Sequence, residues 1–196
     1  VTTATCTYPD FINKYKSGVS GMTGTSNITD FDEIYNLPTY EVPSRLPNIR
    51  RDLKNSVYLT KKAKYKAIIN EVLKAQETLQ PVLIGTTSVE ESEMISKLLA
   101  EEGIRHQLLN AVNNEYENEI IESAGMKGRV TVATNMAGRG SNIKLGEGVK
   151  ELGGLYVIGT SRNNNERIDY QLRGRASRQG EPGKTKYFSS LEDELV

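Results

Sequence analysis

Three arginines stand where an arginine could act on a phosphate. Arg139 lies between Gly138 and Gly140 in the run Thr131-Val-Ala-Thr-Asn-Met-Ala-Gly-Arg-Gly-Ser-Asn142. A buried strand there runs into a polar segment whose glycines free the backbone for close approach. The arginine is thereby expected at the carboxyl end of a strand, where open α/β sheets place their ligands. Arg175 and Arg178 occur in Gln171-Leu-Arg-Gly-Arg-Ala-Ser-Arg-Gln-Gly180. On a helix, positions three apart are neighbours on one face, and Gly174 lets a partner approach. Two converging guanidiniums suit a polyphosphate that is gripped while charge develops on it. Taken singly, the first pattern also fits a plain turn with a surface arginine and the second a solvated charge run. Their order, each after a strand, favours the site.

Other chemistries find less support. Gly183-Lys-Thr185 resembles the end of a phosphate loop, but the first glycine such a loop requires would fall at Arg178, and a strand rather than a helix follows. Asp32-Glu33 looks like a magnesium-holding acidic pair, yet Thr29, Asp30 and Phe31 before it are no buried strand. His106 is the only histidine and Cys6 the only cysteine, so neither a metal site nor a Ser-His-Asp or Cys-His set is expected. The unpaired Cys6 suits a reducing cytosol.

The elements that must position the arginines read as strands alternating with helices, the pattern of a parallel sheet covered by helices. Strands are expected at Ser56 to Leu59, Pro81 to Thr86, His106 to Asn110, Arg129 to Thr134, Leu155 to Thr160 and Lys184 to Ser189. Several are continuous apolar runs, as when both faces are buried. Helices are expected at Lys61 to Thr78, Ser88 to Glu102, Asn113 to Ser123 and Glu166 to Arg178. In the second, Met94, Ile95, Leu98 and Leu99 form one stripe, Ser88 with Glu91 makes a capping box, and Gly103 stops the helix. In the fourth, Ile168 and Leu172 face inward.

The first part of the chain differs. A short aromatic helix near Pro9 to Lys16 is followed by a glycine-punctuated stretch, then by Pro38, Pro43 and Pro47. A linker is expected at about Val42 to Arg51, dividing residues 1–46, too few to bury a core alone, from a domain over 47–196. A chain of 196 residues beginning at Val1 is expected to be a piece of a longer polypeptide. Lys plus Arg and Asp plus Glu are 25 each, so no global positive field attracts nucleic acid or anionic lipid, and any such binding is expected to be local. No apolar run approaches the ~18 residues that span a bilayer.

The arginine segments are similar to motifs five and six of superfamily-two motors. More narrowly, the sequence resembles the SecA preprotein translocase motors almost end to end. The matching strings are Gly21-Met-Thr-Gly-Thr25, Val82-Leu-Ile-Gly-Thr86 with Ser88-Val-Glu-Glu-Ser-Glu93, Thr134-Asn-Met-Ala-Gly-Arg-Gly140, Gly153-Gly-Leu-Tyr-Val-Ile-Gly-Thr160 and Ile168-Asp-Tyr-Gln-Leu-Arg-Gly-Arg175.

The resemblance implies an α/β, RecA-like second nucleotide-binding lobe, with 1–46 as the end of the first lobe. Arg139 matches the motif-five arginine, and Arg175 and Arg178 match the motif-six fingers that face the β- and γ-phosphates. Gly138 and Gly140 match the loop lining the cleft, and Asn142 beside them is counted with the nucleotide-binding residues; Gln171 matches the glutamine that opens motif six, and Gly24 and Thr25 the motif coupling hydrolysis to lobe movement. ATP with magnesium, held mainly by the absent first lobe, is the implied cofactor. Preprotein, a membrane channel and anionic lipid are the implied partners, at the inner face of the cell membrane, with the fragment alone inactive. The rivals are a superfamily-two nucleic-acid helicase domain and a degenerate regulatory domain of motor fold.

The pattern departs from the family at Ser141-Asn142, where Thr-Asp is usual. It departs again at Ala176-Ser177 for Ser-Gly, at Glu181 where Asp is common, and in Ser161-Arg-Asn-Asn-Asn-Glu-Arg167. These changes suit an accessory SecA paralogue, and the lost carboxylate at Asn142 could retune nucleotide affinity.

Overall fold

The structure is a computed structural model that describes residues 4–15, 18–25, 28–110, 117–134 and 141–194. The chain divides into two compact units, Val1–Ser44 and Arg45–Val196.

The first unit holds helices α1 (Tyr8–Asn13) and α2 (Ile28–Tyr35). Thr7 caps α1, its hydroxyl accepting the Asp10 amide. No residue of α1 is buried. Asp32 and Glu33 lie on α2 rather than at the end of a strand.

The second unit is a seven-stranded, all-parallel sheet among the described residues. Its strands are β1 (Arg51–Asp52), β2 (Ser56–Tyr58), β3 (Val82–Thr86), β4 (Gln107–Leu109), β5 (Val130–Thr134), β6 (Leu155–Gly159) and β7 (Gly183–Ser190). The order is β1-β7-β6-β3-β5-β4, with β2 also pairing β7. Its helices are α3 (Lys61–Glu77), α4 (Val89–Glu101), α5 (Glu117–Ser123) and α6 (Glu166–Arg173).

Period-two alternation divides the strand residues between two cores. Val82, Ile84, Val130, Val132, Tyr156, Ile158 and Phe188 pack with Ile68, Ile69, Val72, Ile95 and Leu99 of α3 and α4. Leu83, Ala133, Leu155, Val157 and Tyr187 pack with Ile121 of α5, Leu172 of α6 and Ile143. Both faces are covered, which is why β3 and β6 are buried at every position.

The helix ends follow the capping rules. Thr60 accepts the Ala63 amide and Ser88 the Glu91 amide. Gly103 closes α4 at φ +70°, which a side chain resists. Only half of the expected capping box forms, because Glu91 Oε2 turns to the Thr87 amide and to the hydroxyls of Thr87 and Thr160.

Other expectations are corrected. Met94 is 48% exposed, so the inward stripe of α4 is Ile95 and Leu99 flanked by Leu98. In α6 the buried partner of Leu172 is Asp169, while Ile168 is half-buried. That helix stops at Arg173, not Arg178: Gly174 caps it, and Ser177 and Gln179 adopt left-handed φ of 60° and 53°. Helical hydrogen bonding does not continue through such dihedrals.

Candidate functional site

Arg175 and Arg178 lie on the turn that follows α6. Ser177 anchors this turn by donating its hydroxyl to the Glu181 carbonyl. The helix sits close against the sheet because position 85 is glycine: a Cβ there would come within 2.5 Å of both Leu172 methyls. Farther round, Gly154 at φ +73° has the Pro182 carbonyl where its Cβ would be, so the entrance to β6 clasps the segment leading into β7.

At the start of α6, Asp169 is almost fully buried. Its carboxylate accepts the Asn163 amide at 3.1 Å and side-chain Nδ2 at 2.8 Å, and pairs with Arg162 at 3.1 Å. Arg162 and Arg173 both lie over the Tyr187 ring, at 4.9 and 5.0 Å from its centroid. The hydroxyl of Tyr187 donates to the Asp169 carbonyl. The β6–α6 loop and the helix are thus fixed to each other and to β7.

Arg178 reaches across to the segment after β5. Its Nε donates to the Gly174 carbonyl at 2.9 Å, and Nη1 donates to the Ser141 carbonyl at 3.0 Å and to Asn142 Oδ1 at 3.2 Å. Among the described residues these acceptors are all uncharged, and no carboxylate lies within 4 Å of it. Burial pulls the pKa of both arginines down, and for Arg175 the charge of Arg178 adds to this while Glu117 opposes it. The pair is a site of partly desolvated positive charge, which an anion would relieve.

The structure therefore brings Arg175, Arg178 and Asn142 together on the face covered by α5 and α6, with half-buried Gln171 on the helix leading in. Gly138, Arg139 and Gly140 lie outside the described residues. Gly24 and Thr25 belong to the first unit, at a bend where the Thr25 amide donates to Thr23 Oγ1. Gly183-Lys-Thr185 is the start of β7, and Thr185 donates its hydroxyl to Asp52. His106 donates from Nδ1 to the Ile104 carbonyl and accepts the Ser96 hydroxyl at Nε2.

Sequence reasoning passed over a buried charge cluster at the carboxyl ends of β3, β6 and β7. Lys64 is fully buried, with Nζ 2.6 Å from Asp193, 3.5 Å from Glu91 and 3.0 Å from the Ser161 hydroxyl. The signal was present: Lys64 falls at the spacing of Ile68, Val72 and Ala75 on the apolar stripe of α3. Asp169 lay inside a quoted motif with no role attached.

The parallel sheet with helices on both faces defines a RecA-like α/β domain. The chain belongs to the SecA family: the SecA P-loop domain model matches residues 47–151 and 146–196. It is 52% identical over 197 residues to a protein translocase subunit SecA of Caldicellulosiruptor saccharolyticus, all of this chain against 23% of that protein. It is 48% identical over 204 residues to a protein translocase subunit SecA 2 of Clostridioides difficile, covering 26% of it. The chain thus spans about a quarter of the length of these relatives. Among solved structures, the Escherichia coli DEAD-box protein SrmB, crystallised with the regulator RraA, superposes with a TM-score of 0.60 at 20% identity, over 76% of this chain and 82% of that one. The C-terminal part of the Fun30 ATPase domain gives 0.51 at 15%, over 67% and 41%. At such identities the likeness is one of fold.

Proposed function

We propose that residues 47–196 are the second nucleotide-binding lobe of an ATP-driven protein translocase, and that Arg175 and Arg178 are its arginine fingers. The observation that carries this reading is the placing of two partly buried guanidiniums on one turn, with Arg178 donating, among the described residues, to carbonyl and amide oxygens. A nucleotide bound by the first lobe would bring the compensating charge, and the arginines would stabilise the phosphoryl group in transfer. Arg139, Gly138, Gly140 and Gln171 complete the proposed lining. Residues 1–46 are proposed as the end of the first lobe, with Gly24 and Thr25 coupling hydrolysis to movement.

The SecA membership supports ATP as the nucleotide, preprotein as the cargo and a membrane channel as the partner, at the cytoplasmic face of the membrane with anionic lipid contact. No described helix is long and apolar enough to cross a membrane. The same membership supports magnesium with the ATP, held mainly by the first lobe.

The test is steady-state ATPase of the full-length protein with Arg175→Ala or Arg178→Ala. Turnover should fall by roughly 10³-fold or more, as for an arginine finger. Near-normal turnover in both variants refutes the assignment. Stimulation of the wild type by preprotein and lipid, rather than by RNA, separates translocase from helicase.

A further inference from the structure

Thr131 is 1% exposed, and its Oγ1 has no hydrogen-bond partner among the described residues. It lies on β5 beside a cavity of about 20 Å³, whose wall it shares with Arg175 and Thr134. The rest of the wall is apolar, contributed by residues such as Leu83, Ile121 and Leu172. A buried hydroxyl is ordinarily paired. A cavity of this size holds one water molecule, provided that polar groups meet it. A guanidinium has five N–H donors, so Arg175 can serve such a water besides its other contacts.

We propose that one ordered water occupies this cavity and bridges Thr131 Oγ1 to the Arg175 guanidinium, making Thr131 a positioning residue for that arginine. The water accepts from an Arg175 N–H and donates to Thr131 Oγ1, with the Thr134 hydroxyl as a third neighbour. Arg175 follows Gly174 on the turn after α6. A hydrated hydroxyl on β5 gives its side chain a point of attachment to the sheet beside its other contacts. The positioning role rests on the reading of Arg175 as a finger; the water itself does not.

Two measurements test it. A high-resolution crystal structure should show a water within hydrogen-bond distance of both groups, and its absence overturns the proposal. In the full-length protein, Thr131→Val keeps the shape and removes the hydroxyl. Its kcat should fall about tenfold with KM for ATP unchanged, the scale expected of a modest misplacement. Thr131→Ser should restore it. Wild-type kcat in Thr131→Val, where Arg175→Ala has lost turnover, overturns the positioning role. If Arg175→Ala keeps full turnover, the finger reading and the positioning role fall together, and the crystallographic water alone decides the bridge.

Discussion

Nη1 of Arg178 lies 3.2 Å from Oδ1 of Asn142, tying the turn after α6 to the segment that follows β5. The bond joins a cation to a neutral amide, so its strength depends on the residue at 142. Asn142→Asp would turn it into an ion pair with a charge-assisted hydrogen bond. Because the contact is exposed, the gain in folding stability should not exceed about 1 kcal/mol. KM for ATP in the full-length protein should rise, since part of the arginine charge is then neutralised before nucleotide binds. Urea denaturation and steady-state kinetics check the two effects, and an unchanged KM counts against competition for Arg178.

Lys64 is the most demanding side chain in the domain. Lys64→Met leaves Glu91 and Asp193 buried without their cation, a loss expected to cost about 3–5 kcal/mol. Chemical denaturation of the second unit measures it. Replacing the three together, with Glu91→Gln and Asp193→Asn, should recover most of the loss. A single variant as stable as wild type would show that the cluster contributes nothing net.

Acid should unfold the domain through three carboxylates that the fold holds ionised, one of them in this cluster. Burial alone would raise the Asp193 pKa, but Lys64 and the Ser190 N–H and O–H hold it below the ordinary value. Asp52, hydrogen-bonded by Arg50 and Thr185, is lowered too, and so is Glu71, where Tyr156 and Lys186 outweigh burial. A carboxylate depressed in the folded state stabilises it above the unfolded pKa of about 4, and that stability is lost as pH falls through the folded pKa. Stability should therefore be level above about pH 5 and decline below about pH 4. Asp193→Asn should flatten the decline, as equilibrium unfolding across the range would show.

Gly85→Ala puts a methyl against Leu172 and pushes α6 off the sheet. The cost should be about 1–3 kcal/mol. In a Leu172→Ala background it should shrink, and a thermal double-mutant cycle measures the coupling.

The isolated chain should bind ATP weakly and hydrolyse none, because its only Gly-Lys-Thr sequence is committed to β7. Calorimetry showing tight binding would overturn the division of labour between the lobes.

The fold was legible because β3 and β6 are apolar runs, β5 is rich in β-branched residues, and α3 and α4 carry clear stripes. The strand β1 was not, since Arg51 and Asp52 have no apolar signal and are strand only by pairing with Lys184 and Thr185. The end of α6 was misread because an arginine-rich run suits a helix and a turn equally, and left-handed dihedrals at Ser177 and Gln179 leave no mark on composition. Arg175 and Arg178 were singled out by type and spacing. Their setting was not, because Arg178 meets Asn142 and Arg175 shares a cavity with Thr131 only through tertiary structure.

The strand β7 pairs in parallel with β1 and β2 on one side and with β6 on the other, and Thr185 is tied to Asp52. The strands by which the chain enters and leaves this sheet are therefore laid side by side, pointing the same way. A tension applied between Arg51 and Ser190 loads their hydrogen bonds lengthwise, so that many must fail at once instead of opening one after another like a zip. Mechanically, β1, β2 and β7 form a lap joint that resists being sheared along its own length.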